Sequence, residues 1–180
     1  YGKYSGNADN FLNFVETELI SYINSKYRIS NQNIAVGHSL SASFILYSLL
    51  QKPNLFQNYI AISPNLAYDD NKLSKDLIKF DFSKLKRPSF IYLSNANEGI
   101  DYWKEWKPAR ESVYSFFKDF IKNKNLTVEI ADDYISSMDG EVIYNNELIA
   151  ACYHIASAIN SQDEDLKTFC SAFEASFKKA

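Results

Sequence analysis

Near the start of the chain apolar residues recur at every fourth position: Phe11, Val15, Leu19 and Ile23. That spacing predicts a helix over residues 7–25 with one apolar face, capped by Asn7 or Asp9. The pattern then changes. "NQNIAVGH" holds a short apolar run that predicts a strand at about 33–36. "LSASFILYSLLQK" follows as a helix that is apolar nearly all round, and so buried. "YIAISP" predicts a second short strand. Neither strand alternates, as expected where helices cover both faces of a sheet. Residues 65–87 are polar and mixed, with a short helix near 72–80. "SFIYLSN" and "TVEIAD" predict a third and a fourth strand. Between them a helix starts at Pro108 and carries Val113, Phe116, Phe117, Phe120 and Ile121. "DYISSMDGEV" reads as a loop, and two helices, at about 145–159 and 163–178, close the chain.

Strand and helix thus alternate four times. This predicts an α/β fold, with a mostly parallel sheet between helices on both faces. No internal repeat and no linker divides the chain. Residues 1–180 are expected to form a single domain, with 163–180 as a C-terminal helix appended to it.

Composition narrows the function classes. The chain has 180 residues and a net charge of −3, with no basic stripe interleaved with aromatics, so nucleic acid is not the expected partner. No apolar run approaches the roughly 20 residues of a membrane-spanning helix. Frequent Lys, Asn and Ile follow genome composition, of a bacterial kind, more than chemistry. The opening "YGKYSGNADN" lacks the basic start and apolar centre of a signal peptide and has no initiating Met. A cut or processed chain is expected, with the compartment open between cytoplasm and periplasm or exterior. The two cysteines, Cys152 and Cys170, are too few for a disulfide scaffold or a zinc site. They read as buried thiols, or as one helix-to-helix disulfide in an oxidising compartment. No glycine-rich phosphate loop and no metal-ligand spacing occurs, so neither cofactor nor metal is expected.

The chemistry concentrates in "IAVGHSLS", residues 34–41. A strand, then Gly37-His38-Ser39-Leu40-Ser41, then a buried helix is the context of a nucleophile elbow. Such a turn strains the serine backbone so that its hydroxyl stands clear at the C-terminal edge of the sheet. Small residues two positions either side let strand and helix approach. Gly37 meets that need, and Ser41 stands where glycine is usual. Leu40 would offer its backbone N–H to an oxyanion, aided by the helix N-terminus. The plainer alternative is a structural serine that caps the helix.

On these residues the chain resembles the putative esterase family of α/β-hydrolases, which includes the siderophore (enterochelin-type) esterases. The shared features run in order: a small-residue turn before "ADNF", the helix ending near Tyr27-Arg28, the elbow, "KPNLFQNYIAISP", then "IYLS" and a helix. The likeness covers about residues 4–160, sharp before Pro64 and diffuse after it. It implies a serine hydrolase acting on small-molecule esters, in which an acid and then a histidine follow the serine. It also implies that the first strands and one oxyanion donor lie upstream, so the chain is similar to the C-terminal portion of a hydrolase domain.

The base is the difficulty. Only two histidines occur, His38 and His154. The resemblance puts the catalytic histidine in the loop before the penultimate helix, here "DDYISSMDGEVIYNN", which has none. Ser137, Met138, Asp139 and Gly140 stand in its place. His154 would lie roughly 12 Å along that helix at 1.5 Å per residue. It is a candidate base, with a helix-face role as the plainer reading. Asp139 would be a poor base, because a carboxylate of ordinary pKa draws a proton weakly from serine. Glu98, or alternatively Asp101, falls where the resemblance expects the acid. His38, Trp103 and Trp106 are candidates for substrate contacts, against packing roles for each. Two functions remain: a carboxylic-ester hydrolase with Ser39 as nucleophile, or a catalytically impaired relative that binds a ligand or partner.

Overall fold

The computed structural model describes residues 6–30, 32–95, 105–119 and 126–131. Four strands pair in parallel in the order β1-β2-β3-β4: β1 Ile34–His38, β2 Asn58–Ile62, β3 Ser89–Ser94 and β4 Leu126–Ala131. Each crossover between them contains a helix, as parallel neighbours require. Before β1 lie α1 Ala8–Phe14, a π-helical turn Val15–Leu19 and α2 Ile20–Lys26. After it come α3 Leu40–Gln51, α4 Tyr68–Lys79 and α5 Lys107–Asp119.

Register sorts the side chains into rows across the sheet. Ala35, Tyr59, Ile91 and Val128 align in one row, and Gly37, Ala61, Leu93 and Ile130 in another. These rows face the core built with Leu46 and Leu49 of α3, Leu77 of α4 and Val113 and Phe117 of α5. Removing that apolar surface from water is the main force holding helices to sheet. On the opposite face Ile60, Ile62, Phe90 and Tyr92 are buried as well. This double burial explains why β2 and β3 read as unbroken apolar runs. The closing helices, including 163–180, lie outside the described residues.

Three expectations need correction. β1 does alternate: Ala35 and Gly37 are buried, whereas Val36 is 51% exposed. It sits at one end of the strand order, where its second face is less covered than those of β2 and β3. The N-terminal apolar face is also shifted. Leu12 and Val15 are buried, while Phe11 and Leu19 are 53% and 39% exposed. The π-helical turn is wider than an α turn and rotates the stripe that a strict four-residue spacing would align. Finally, Asn7 takes the N-cap position of α1, but its side chain makes no capping hydrogen bond. Asn7 Oδ1 accepts a hydrogen bond from Asn10 Nδ2, and Asp9 accepts one from the Tyr47 hydroxyl of α3.

Candidate active site

The parallel ladder runs one residue past the strands at their C-terminal ends. Ser39 N–H donates to the Ile62 carbonyl at 3.0 Å, and Ser63 N–H donates to the Ser94 carbonyl at 2.9 Å. Both serines then turn the chain with positive φ, 56° at Ser39 and 45° at Ser63. Such values cost a side-chain-bearing residue about 1–3 kcal/mol, and persist only where the surroundings enforce them. At Ser39 two features do so. The ladder bond fixes its N–H, and its carbonyl accepts from the Ser43 N–H at 3.1 Å, closing the first turn of α3.

Gly37 is required by space. A Cβ there would lie 2.5 Å from both the carbonyl carbon and oxygen of Ser41, and 2.7 Å from the Ala42 nitrogen. Strand and helix touch backbone to backbone at this point. Ser41 stands where a second glycine is usual, and its side chain is exposed, so it obstructs nothing.

Ser39 occupies the N-cap position of α3, yet its side chain makes no capping hydrogen bond. The reading of Ser39 as a capping serine therefore fails on geometry. The hydroxyl sits at the N-terminus of a 12-residue helix, where the partial positive charge of the helix favours an anionic oxygen. Leu40 opens that helix, so its N–H has no partner one turn back. Its side chain is 60% exposed.

His38 lies on the face of β1 that carries Val36, with its side chain exposed. Partial desolvation by the surrounding protein still lowers its pKa below the ordinary imidazole value. Trp106 stands half-buried just before α5. Glu98, Asp101, Trp103, Asp139, Cys152, His154 and Cys170 lie outside the described residues. The chain leaves β3 toward Glu98 and Asp101 through Ser94 and Asn95. There Ser94 Oγ and Asn95 Oδ1 are buried without hydrogen-bond partners among the described residues. The Tyr114 hydroxyl of α5 donates to the Ser94 carbonyl at 3.0 Å.

The structure adds residues around the elbow that sequence patterns did not single out. Ser43 Oγ donates to the Asn65 carbonyl at 2.8 Å and anchors the loop after β2. Asp9, Tyr47, Tyr68 and Asp69 line a cleft beside Leu40. These groups come from three distant segments, so no local motif joins them. One signal was present: Asp69-Asp70-Asn71 strings together three of the residue types most tolerant of left-handed backbone, and all three adopt it.

Among the described residues no helix is long and apolar enough to cross a membrane. No group of three or more His, Cys, Asp or Glu side chains there is placed to hold a metal ion.

Ferri-bacillibactin esterase BesA of Bacillus subtilis (strain 168) is 40% identical over 65 residues, covering 36% of this chain and 22% of that protein. Three solved structures share the fold. The BES protein from Bacillus cereus superposes with a TM-score of 0.66 at 20% identity, covering 82% of this chain and 55% of its own. Siderophore hydrolase EstA from Aspergillus nidulans gives 0.64 at 19%, covering 85% and 57%. An IroE-like serine hydrolase from Shewanella oneidensis gives 0.62 at 21%, covering 84% and 50%. The chain therefore spans about half the length of these structural relatives and less than a quarter of BesA. Those likenesses establish an α/β-hydrolase-type fold. The model of one family, described as "Putative esterase", matches residues 1–116. By that match the chain belongs to the Putative esterase family.

Proposed function

We propose that this chain carries the nucleophile of a carboxylic-ester hydrolase, with residues 1–180 belonging to one α/β-hydrolase domain. The observation that carries the reading is the backbone of Ser39, at φ 56° and ψ −121° between β1 and α3, with its hydroxyl left out of helix capping. Membership of the Putative esterase family supports it.

In this reading Ser39 Oγ attacks the carbonyl carbon of a small-molecule ester. Its proton passes to a base, and the carbonyl oxygen takes up the negative charge. The Leu40 N–H faces that oxyanion as one donor of the hole. Collapse expels the alcohol and leaves an acyl-serine, which water then cleaves. His154 is the candidate base, with Glu98 or Asp101 as the acid that orients it. His38, Trp103 and Trp106 are candidate substrate contacts. The expected test is turnover of p-nitrophenyl butyrate by the full chain, abolished in Ser39→Ala. Turnover that survives Ser39→Ala would overturn the assignment.

A second reading has a specific observation in its favour. The sequence holds only two histidines, one beside the serine and one at position 154. If His154 does not serve Ser39, the elbow belongs to a protein that binds a ligand or partner without hydrolysing it. Turnover by the unsubstituted chain separates the two readings, since the second predicts none, and His154→Ala then tests the base. Loss of turnover supports the triad, whereas unchanged turnover points to another base.

A further inference from the structure

A cleft of about 340 Å3 opens beside the first turns of α3. Leu40, Phe44 and Tyr47 supply one wall, and Tyr68 and Leu73 the other. Asp9 enters from α1, and Asp69 and Asp76 enter from α4, against a single cation, Lys72. That cation is engaged, with its Nζ 2.6 Å from Asp76 Oδ2. Lys75, which follows on α4, is held by the carbonyl and carboxylate of Asp70. Asp9 accepts from the Tyr47 hydroxyl. Burial, and then Asp9 itself, push the Tyr47 pKa up to about 12, so this phenol remains a neutral donor. The cleft therefore pairs aromatic and aliphatic walls with a net excess of two carboxylates.

The α4 segment that lines this cleft departs from helical geometry. Asp69, Asp70 and Asn71 follow one another at φ 51°, 52° and 59°. Asp and Asn are among the residue types that tolerate this conformation best. Here they join Tyr68 and Asp69 to Lys72 and Leu73, all of which line the same space.

We propose that this cleft binds an organic ammonium group carried on an apolar body. An ammonium with an alkyl shell gains from aromatic rings and from carboxylates together, and residues of both kinds line the cleft. An anion would meet two uncompensated carboxylates. A metal ion is a worse match, because the described His, Cys, Asp and Glu side chains form no group placed to hold one. Leu40 lines the cleft and follows Ser39 directly, so the cleft adjoins the elbow, and an ester bearing such a group could place it there. That last assignment rests on Ser39 being the nucleophile; binding of the ammonium group does not.

The test is an NMR titration of the full chain, at low salt, with choline, 3,3-dimethylbutan-1-ol and 3,3-dimethylbutanoate. These probes share a shape and differ in charge. Choline is expected to bind roughly fivefold more tightly than the neutral alcohol, as for a cation on a partly exposed aromatic site, and the anion most weakly. The double variant Asp9→Asn, Asp69→Asn should erase the preference. Asparagine keeps both the acceptor for Tyr47 and the tolerance for left-handed backbone, and an unchanged circular dichroism spectrum checks the fold. Asp69→Asn alone should halve the preference or more. Equal binding of the three probes, a preference that survives in the double variant, or no response from cleft residues would each overturn the proposal. Ser39→Ala should keep the preference. If it does while Ser39 proves inert toward esters, the cleft stands and the hydrolase reading falls.

Discussion

At Ser39 the backbone holds a conformation that glycine reaches at less cost than any residue with a Cβ. Relief of that strain predicts that Ser39→Gly is about 1 kcal/mol more stable to denaturant than wild type. Ser39→Ala keeps the Cβ and should stay within about 0.5 kcal/mol of it. A Ser39→Gly protein less stable than Ser39→Ala would show that the turn is not strained. Gly37 carries the opposite constraint. A methyl there meets backbone atoms at 2.5 Å, which cannot swing aside as a side chain could. Urea unfolding of Gly37→Ala should show a loss of about 1–3 kcal/mol, the usual cost of overpacking. Both constraints were legible in the sequence because they are local: strand, small residue, serine, small residue, helix. The positive φ of Ser63 was not, because the ladder bond to Ser94 that precedes it joins segments 31 residues apart.

Between elements, three contacts tie α1 and its π-helical turn to α3 and the Lys52 that caps its C-terminus. Phe11 meets Phe44 at 5.0 Å between ring centroids, Asp9 accepts from Tyr47, and Glu16 pairs with Lys52 at 2.9 Å. The ion pair is exposed and worth under about 1 kcal/mol. The Tyr47 contact has a pH signature. Its folded-state pKa, about 12, lies above the free value of 10.0. A raised pKa means the contribution is whole below pH 10 and is lost as pH rises toward 12. Stability measured across pH 10–12 should therefore fall in wild type, and more gently in Tyr47→Phe. Equal slopes would show that Tyr47 does not couple ionisation to folding. The sequence announced α3, β2 and β3 clearly, because segments buried on all sides are apolar throughout. It misjudged the outward faces of α1 and β1, where a π-helical turn and a less covered strand override simple spacing.

At the scale of the molecule, parallel pairing brings Ser39, Ser63 and Asn95 to one edge of the sheet, each following its strand's last residue. Ligand sites of open α/β sheets form at that edge, and the ammonium cleft opens beside it. The alternation of strands and helices made the architecture readable from the chain alone. The cleft was not readable, since its walls join residues that lie some 60 positions apart. The proposal that joins these scales is an activated nucleophile at Ser39. It is tested most directly by treating the full chain with a fluorophosphonate and mapping the adduct by mass spectrometry. One phosphonylated peptide is expected, modified at Ser39 and absent from Ser39→Ala. A folded chain that takes up no label, or takes it up at another residue, would contradict it.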